Sequence, residues 1–125
     1  MDLSFEHPGE YLFVRRVGAN SVTIVDRDFH HSILLTPETV VEDWAVTDAK
    51  QLSLADVETI AALKPEVVII GTGERQVFPP AEVMAAFLRQ GIGVEAMTNG
   101  SAARTYSLLA GEGRRVLAAF ILPQG

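Results

Sequence analysis

The hydrophobic period of the chain changes once, near Ser53, and that change limits the fold more than any other feature. Before it, β-branched and aromatic residues form short runs at 11–17 and 21–26, separated by Gly18-Ala19-Asn20, which predicts a hairpin. After it, Leu54, Val57, Ile60 and Ala61 are spaced for one helical face, with Ser53 placed to cap and Asp56 three residues later. Pro65 stops that helix, and strands at 66–70, 93–97 and 115–122 then alternate with helices at 80–90 and 101–110. Strand and helix alternating in this way is the pattern of an α/β domain.

The remaining segments fit that frame. A third run, 29–36, alternates so that Phe29, His31, Ile33 and Leu35 share one face and His30, Ser32 and Leu34 the other, with Pro37 ending it. Segment 40–46, with Trp44 among acidic residues, reads as a strand or an irregular edge. The 80–90 helix has Pro80 in its first turn, Val83, Met84, Phe87 and Leu88 on one stripe, and Gly91 at its C-terminal cap. In the 101–110 helix, Ala102, Ala103, Tyr106, Leu109 and Ala110 make the buried stripe and Arg104 points away from it. A chain of 125 residues is the size of one domain, so 1–125 is expected to share one core.

Charge and composition remove several function classes. A net charge of −6 repels phosphate backbones and anionic lipid heads, so nucleic-acid partners are not expected. With no cysteine, thiolate catalysis, disulfides and cysteine-held metals are excluded. Met1-Asp2-Leu3-Ser4-Phe5-Glu6-His7-Pro8 is acidic and broken by proline, unlike a signal or transit peptide, and the apolar run Val67-Val68-Ile69-Ile70 is too short to cross a bilayer. The expectation is a cytoplasmic protein without membrane insertion.

Where a ligand would sit follows from the β-α-β order. Parallel strands at 66–70 and 93–97 would end on one edge, where ligands of open α/β sheets gather. That edge carries Gly71-Thr72-Gly73-Glu74-Arg75-Gln76 and Thr98-Asn99-Gly100-Ser101. Glycines, a helix start and the cations Arg75 and Arg104 suit a small anion, which makes Gly71, Thr72, Gly73, Arg75, Thr98, Asn99, Arg104 and Thr105 the candidate ligand-binding residues. The competing reading has equal weight: a tight turn at Gly71 and Gly73, a helix cap at Thr98, Asn99 or Ser101, and Arg104 paired with Glu74 or Glu95. Gln76 stands where G-x-G-x-x-G needs its third glycine, and no G-x-x-x-x-G-K-[ST] occurs.

No residue is expected to act as a catalytic group or a metal ligand, and no cofactor is expected. The three histidines lie in the first third of the chain, and His30 and His31 would face opposite sides of a strand. His31 is expected as a hydrogen-bonded core residue and His30 as partly exposed. Glu42-Asp43 reads as a solvated acidic edge, and Trp44 as a packing anchor.

Pro65 to Gly73, Gly91 to Thr98, and Ala103-Arg104-Thr105-Tyr106 together resemble the Mth-type domain family of unknown function, over about Leu12 to Ile121. Its members include a mitochondrial complex I assembly factor and an adipogenesis-associated protein. The resemblance implies a central mixed sheet, a smaller β layer and helices packed over the sheet, in agreement with the α/β reading. It marks Gly71, Thr72, Gly73, Thr98, Arg104, Thr105 and Tyr106 as motif positions without giving them a reaction; Ser107 departs from the asparagine that often follows R-T-Y. The leading expectation is a non-enzymatic protein-binding or assembly module with an unidentified protein partner. The alternative is a binder of a small anion, or an enzyme acting on one, at the Gly71-Gly73 and Thr98-Ser101 turns.

Overall fold

In the computed structural model, which describes residues 11–123, short strands lead into alternating helices and strands. The order is β1 (Val14–Val17), β2 (Val22–Ile24), β3 (Arg27–Phe29), β4 (Ile33–Leu35), β5 (Val40–Val41), a 3-10 turn (Ala49–Gln51), α1 (Leu54–Ala61), β6 (Val67–Gly71), α2 (Ala81–Arg89), β7 (Gly93–Met97), α3 (Asn99–Gly111) and β8 (Val116–Phe120). The acidic N-terminal octapeptide lies outside the described residues.

Strands β1, β2 and β3 form an antiparallel three-stranded sheet, beginning with the expected hairpin. The second sheet has five strands in the order β5-β4-β8-β6-β7. It is mixed, because β6 runs parallel to β7 and β8 while β4 runs antiparallel to β5 and β8. β8 is central and buried along its whole length, which is why 116–122 reads as one apolar run. Its alternate residues feed two cores. Leu117 and Ala119 join Leu34, Val68 and Ile70 under α1, α2 and Trp44, whereas Val116, Ala118 and Phe120 join Ile33, Leu35 and Ile69 under α3 and the small sheet. The result is the expected α/β architecture: a central mixed sheet, an N-terminal β layer and helices packed over the sheet.

The run at 29–36 is not one strand. Phe29 ends β3 opposite Val22, Ile33 begins β4 opposite Phe120, and His30 to Ser32 carry the chain from one sheet to the other. Buried Ser32 makes the crossing possible: its hydroxyl donates to the Val46 carbonyl at 2.5 Å and accepts from the Leu122 amide at 2.8 Å, satisfying backbone groups that no strand pairs there. The break also corrects the reading of His31, which is exposed and lies edge-on to Phe29 instead of entering the core. Leu54 and Leu88 depart in the same sense, at 48% and 62% exposure, because each sits at the outer border of its helix stripe.

Local chemistry explains the other boundaries. The Asp56 carboxylate accepts the Ser53 amide at 2.9 Å, starting α1, and also accepts the Trp44 indole N–H at 3.3 Å, tying the helix start to the core. α3 starts two residues earlier than its pattern suggests, since Thr98 is the cap and its hydroxyl accepts the Ser101 amide at 3.3 Å. Glu42 is not simply a solvated acid. It receives a two-pronged contact from Arg27 at 2.8 and 2.6 Å, joining β3 to the segment after β5.

At the amino end of the parallel strands, Glu66 accepts the Arg115 amide at 2.8 Å and pairs with Arg114 at 3.3 Å. The Arg115 amide is the main cause that holds the Glu66 carboxyl below its ordinary pKa; desolvation opposes it, and the Arg114 contact and the charges of Arg114 and Arg115 reinforce it. A depressed folded-state pKa gives stability that is present above the unfolded value and lost as pH falls through the folded one. Urea midpoints compared at pH 7 and pH 3 should therefore fall less in Glu66→Gln than in the parent; equal falls would remove Glu66 from the acid response.

Candidate functional site: the carboxyl edge of the parallel strands

Because β6 and β7 run parallel, their last residues, Gly71 and Met97, end side by side. The turns that follow are stitched together: the Thr72 amide donates to the Met97 carbonyl at 2.8 Å, and the Asn99 amide donates to the Gly73 carbonyl at 2.8 Å. A groove of about 310 Å³ lies between the hairpin turn at Gly18 and residues Gly73, Glu74, Thr98, Asn99 and Gly100.

Of the candidate residues, Gly73, Thr98 and Asn99 line this groove, while Gly71, Thr72, Arg75, Arg104 and Thr105 stand outside its lining. Thr72 builds the loop, its hydroxyl donating to the Arg75 carbonyl at 2.6 Å and accepting from the Val77 amide at 3.1 Å. Thr105 donates to the Met97 sulfur at 3.5 Å. Arg75 is exposed, and Arg104 is exposed and donates to the Ser101 hydroxyl at 3.2 Å. The start of α3 is also largely satisfied internally: Asn99 N–H is held by Gly73 and Ser101 N–H by Thr98, leaving Gly100 N–H among the described residues. At this groove the start of α3 offers an anion the Gly100 amide, opposed by the Glu74 carboxylate on the rim.

The two glycines serve different ends. Gly73 has φ +106, a left-handed conformation that favours glycine. Gly71 is ordinary strand, and what excludes a side chain is Asn99: a Cβ on Gly71 would fall inside its Oδ1 and 3.3 Å from the Ala102 Cβ. Asn99 is itself buried, with Nδ2 donating to the Ile121 carbonyl at 3.0 Å and Oδ1 without a hydrogen-bond donor among the described residues.

The residue that sequence reasoning missed is Phe78, 78% exposed in the loop between β6 and α2. The loop is anchored on both sides of it. Gln76 Nε2 donates to the Ala96 carbonyl at 2.9 Å, Val77 packs against the core, and Pro79 is buried. Beside the loop runs the outer edge of β7. Since Gly93 N–H and Met97 C=O bond toward β6, alternation turns the amides and carbonyls of Val94 and Ala96 outward. The only sequence signal for this surface was an aromatic residue preceding Pro79-Pro80 at the head of a helix.

A mixed five-stranded sheet with an antiparallel sheet and a helix on one face and two helices on the other places the chain in a defined class of α/β domain. More particularly, the chain belongs to the family described as protein of unknown function (DUF498/DUF598), which matches residues 14–121. A Xanthomonas campestris protein solved by NMR superposes with a TM-score of 0.83 at 44% identity, covering 98% of this chain and 92% of that one. A Bordetella pertussis protein described as a Mth938-like domain gives 0.80 at 30% identity, covering 100% and 94%. The resemblance to the Mth-type family is thus confirmed. Among curated relatives, the "13 kDa major membrane protein" of Francisella tularensis is 32% identical over 90 residues, 71% of this chain and 73% of that protein. The human NADH dehydrogenase [ubiquinone] 1 alpha subcomplex assembly factor 3 is 33% identical over 93 residues, 73% of this chain. The matched region spans 50% of the human factor's length. No helix among the described residues is long and apolar enough to cross a membrane.

Proposed function

We propose that the protein is a non-enzymatic assembly module that docks a partner protein through Phe78 and the adjoining edge of β7. The observation that carries this reading is a large aromatic side chain at 78% exposure on a loop fixed at both ends. An anchor held in place before binding loses little conformational freedom on association, and aromatic residues dominate the energetics of protein interfaces. The outward amides of β7 add main-chain donors of the kind used when a partner strand joins a sheet. The human relative's name as an assembly factor supports a protein partner.

The anion reading of the 71–73 and 98–101 turns has the convergence of those turns in its favour and the occupied α3 amides against it. Affinity capture from the source cell with wild type, Phe78→Ser and Leu108→Ser separates the readings, since Leu108 is also exposed, at 63%, but lies on α3. A partner retained by wild type and Leu108→Ser should bind Phe78→Ser about 30-fold more weakly or worse, the loss of an interface anchor. Thermal midpoints should stay alike. Equal capture by all three proteins would reject Phe78 as the anchor, and a saturable phosphate effect on Gly100 would favour the anion.

A further inference from the structure

A groove of about 440 Å³ lies at the other end of the sheet. It falls where β6 and β8 begin side by side, Val67 opposite Val116, so that residues some fifty positions apart in sequence meet. Its size is within the range of small-molecule sites. Leu63, Pro65, Ala110 and Val116 supply an apolar lining, and Lys64, Arg114 and Arg115 supply three cations against one lining carboxylate, Glu38. Even with Glu66, which pairs with Arg114 from outside the lining, the groove stays net positive in a chain of net charge −6.

Lys64 adds a second observation. Its φ of +59 is left-handed, a conformation that glycine or asparagine takes at low cost after a helix and that lysine does not favour. The Arg115 Nε donates to the Lys64 carbonyl at 3.4 Å, and Glu66 holds Arg114 through its Nε at 3.3 Å, so both guanidinium groups are steered from behind. Cations after helix ends offset the helix dipole, which accounts for a positive charge at this place. It does not account for a lysine in the one backbone conformation where glycine would fold more easily.

We propose that this groove binds a small organic anion with an apolar body, its carboxylate or monophosphate taken by Arg115, Arg114 and Lys64 and its body by Leu63, Pro65 and Val116. Guanidinium forks match such oxyanions in a planar, two-pronged way, and the apolar lining distinguishes an organic anion from an inorganic one.

The test uses the isotope-labelled full chain titrated with octanoate, phenyl phosphate, acetate and inorganic phosphate, read by amide chemical shifts. Octanoate or phenyl phosphate should give saturable shifts at 36–39, 63–65 and 110–116. Acetate and inorganic phosphate should bind about tenfold more weakly or worse, for want of the apolar contact. Lys64→Gly should weaken binding about tenfold while its thermal midpoint stays level or rises, and Arg115→Gln should weaken binding similarly. Shifts that do not saturate or that map elsewhere, or affinities unchanged in both variants, would overturn the proposal. Lys64→Gly keeps the test clear of misfolding, because glycine suits the backbone at that position.

Discussion

Gly71→Ala is expected to destabilise the fold by about 3 kcal/mol or more, lowering the thermal midpoint by roughly 10–15 °C. The backbone at Gly71 is an ordinary strand, so conformational strain plays no part; the expected loss comes from space. A methyl group there would collide with Asn99 Oδ1 and stand 3.3 Å from the Ala102 Cβ. Gly71 is pinned where it is, since its carbonyl accepts the Ile121 amide at 2.9 Å. Asn99 would have to move, and its Nδ2 bond to the Ile121 carbonyl at 3.0 Å would break inside the core. An orphaned buried carbonyl adds its own cost of about 1–3 kcal/mol to that of overpacking. The explanation is checked by a double-mutant cycle: in an Asn99→Ala background, Gly71→Ala should cost well under half as much, leaving only the Ala102 contact. Additive losses, or a loss below about 1 kcal/mol in the parent, would show that Asn99 is not what keeps position 71 a glycine.

That pair of glycines shows how far a sequence can be read here. Gly71-Thr72-Gly73 was legible as a special stretch at the end of a strand, but nothing in the letters separates a glycine demanded by φ, as at Gly73, from one demanded by a neighbour 28 positions away, as at Gly71. Strands and helices after Ser53 were legible within about two residues because β8 is buried on both faces and the helices carry one apolar stripe each. The 29–36 run misled because period-2 alternation continues through a change of sheet. The polar His30-His31-Ser32 interruption was the available sign of that change, and its meaning rests on bonds from Ser32 to Val46 and Leu122, distant in sequence.

The groove at the carboxyl edge, the Phe78 surface and the Lys64 groove were harder to foresee for the same reason. Turns 71–76 and 98–101 were expected on one edge because parallel strands share their ends, and the Asn99 to Gly73 bond joins them. Yet Arg75 and Arg104, drawn to that edge by sequence proximity, stay off the groove, since neither loop direction nor rotamer is encoded locally. Phe78 was passed over because a single loop aromatic looks the same whether buried or displayed. Lys64, Arg114 and Arg115 converge only through the register of β6 against β8.

Tyr106, by contrast, could be placed in the core by its stripe alone, and its removal should give the other large loss: about 3–5 kcal/mol for Tyr106→Ala. The ring is 0% exposed, among Ile69, Ala102, Val116 and Phe120 on the face shared with the small sheet. What the stripe did not reveal is the hydroxyl, which donates to the Leu12 carbonyl at 2.6 Å and so ties α3 to the segment that enters β1. Tyr106→Phe keeps the ring and removes that tie, with an expected cost of about 1–2 kcal/mol. The loss should appear first as faster amide exchange across β1 to β3, while β6 and β8 keep their protection. Burial, with a smaller push from Tyr11, raises the pKa of this hydroxyl above its ordinary 10.0. A raised folded-state pKa means the contribution is complete below the unfolded value and is lost as pH climbs past it, because the unfolded chain then ionises first. The parent should therefore lose stability above about pH 10 more steeply than Tyr106→Phe, which has no proton to release there. If Tyr106→Ala cost less than about 1 kcal/mol, or if Tyr106→Phe loosened all strands alike, the ring would not be the anchor of that core, nor its hydroxyl the link to the small sheet.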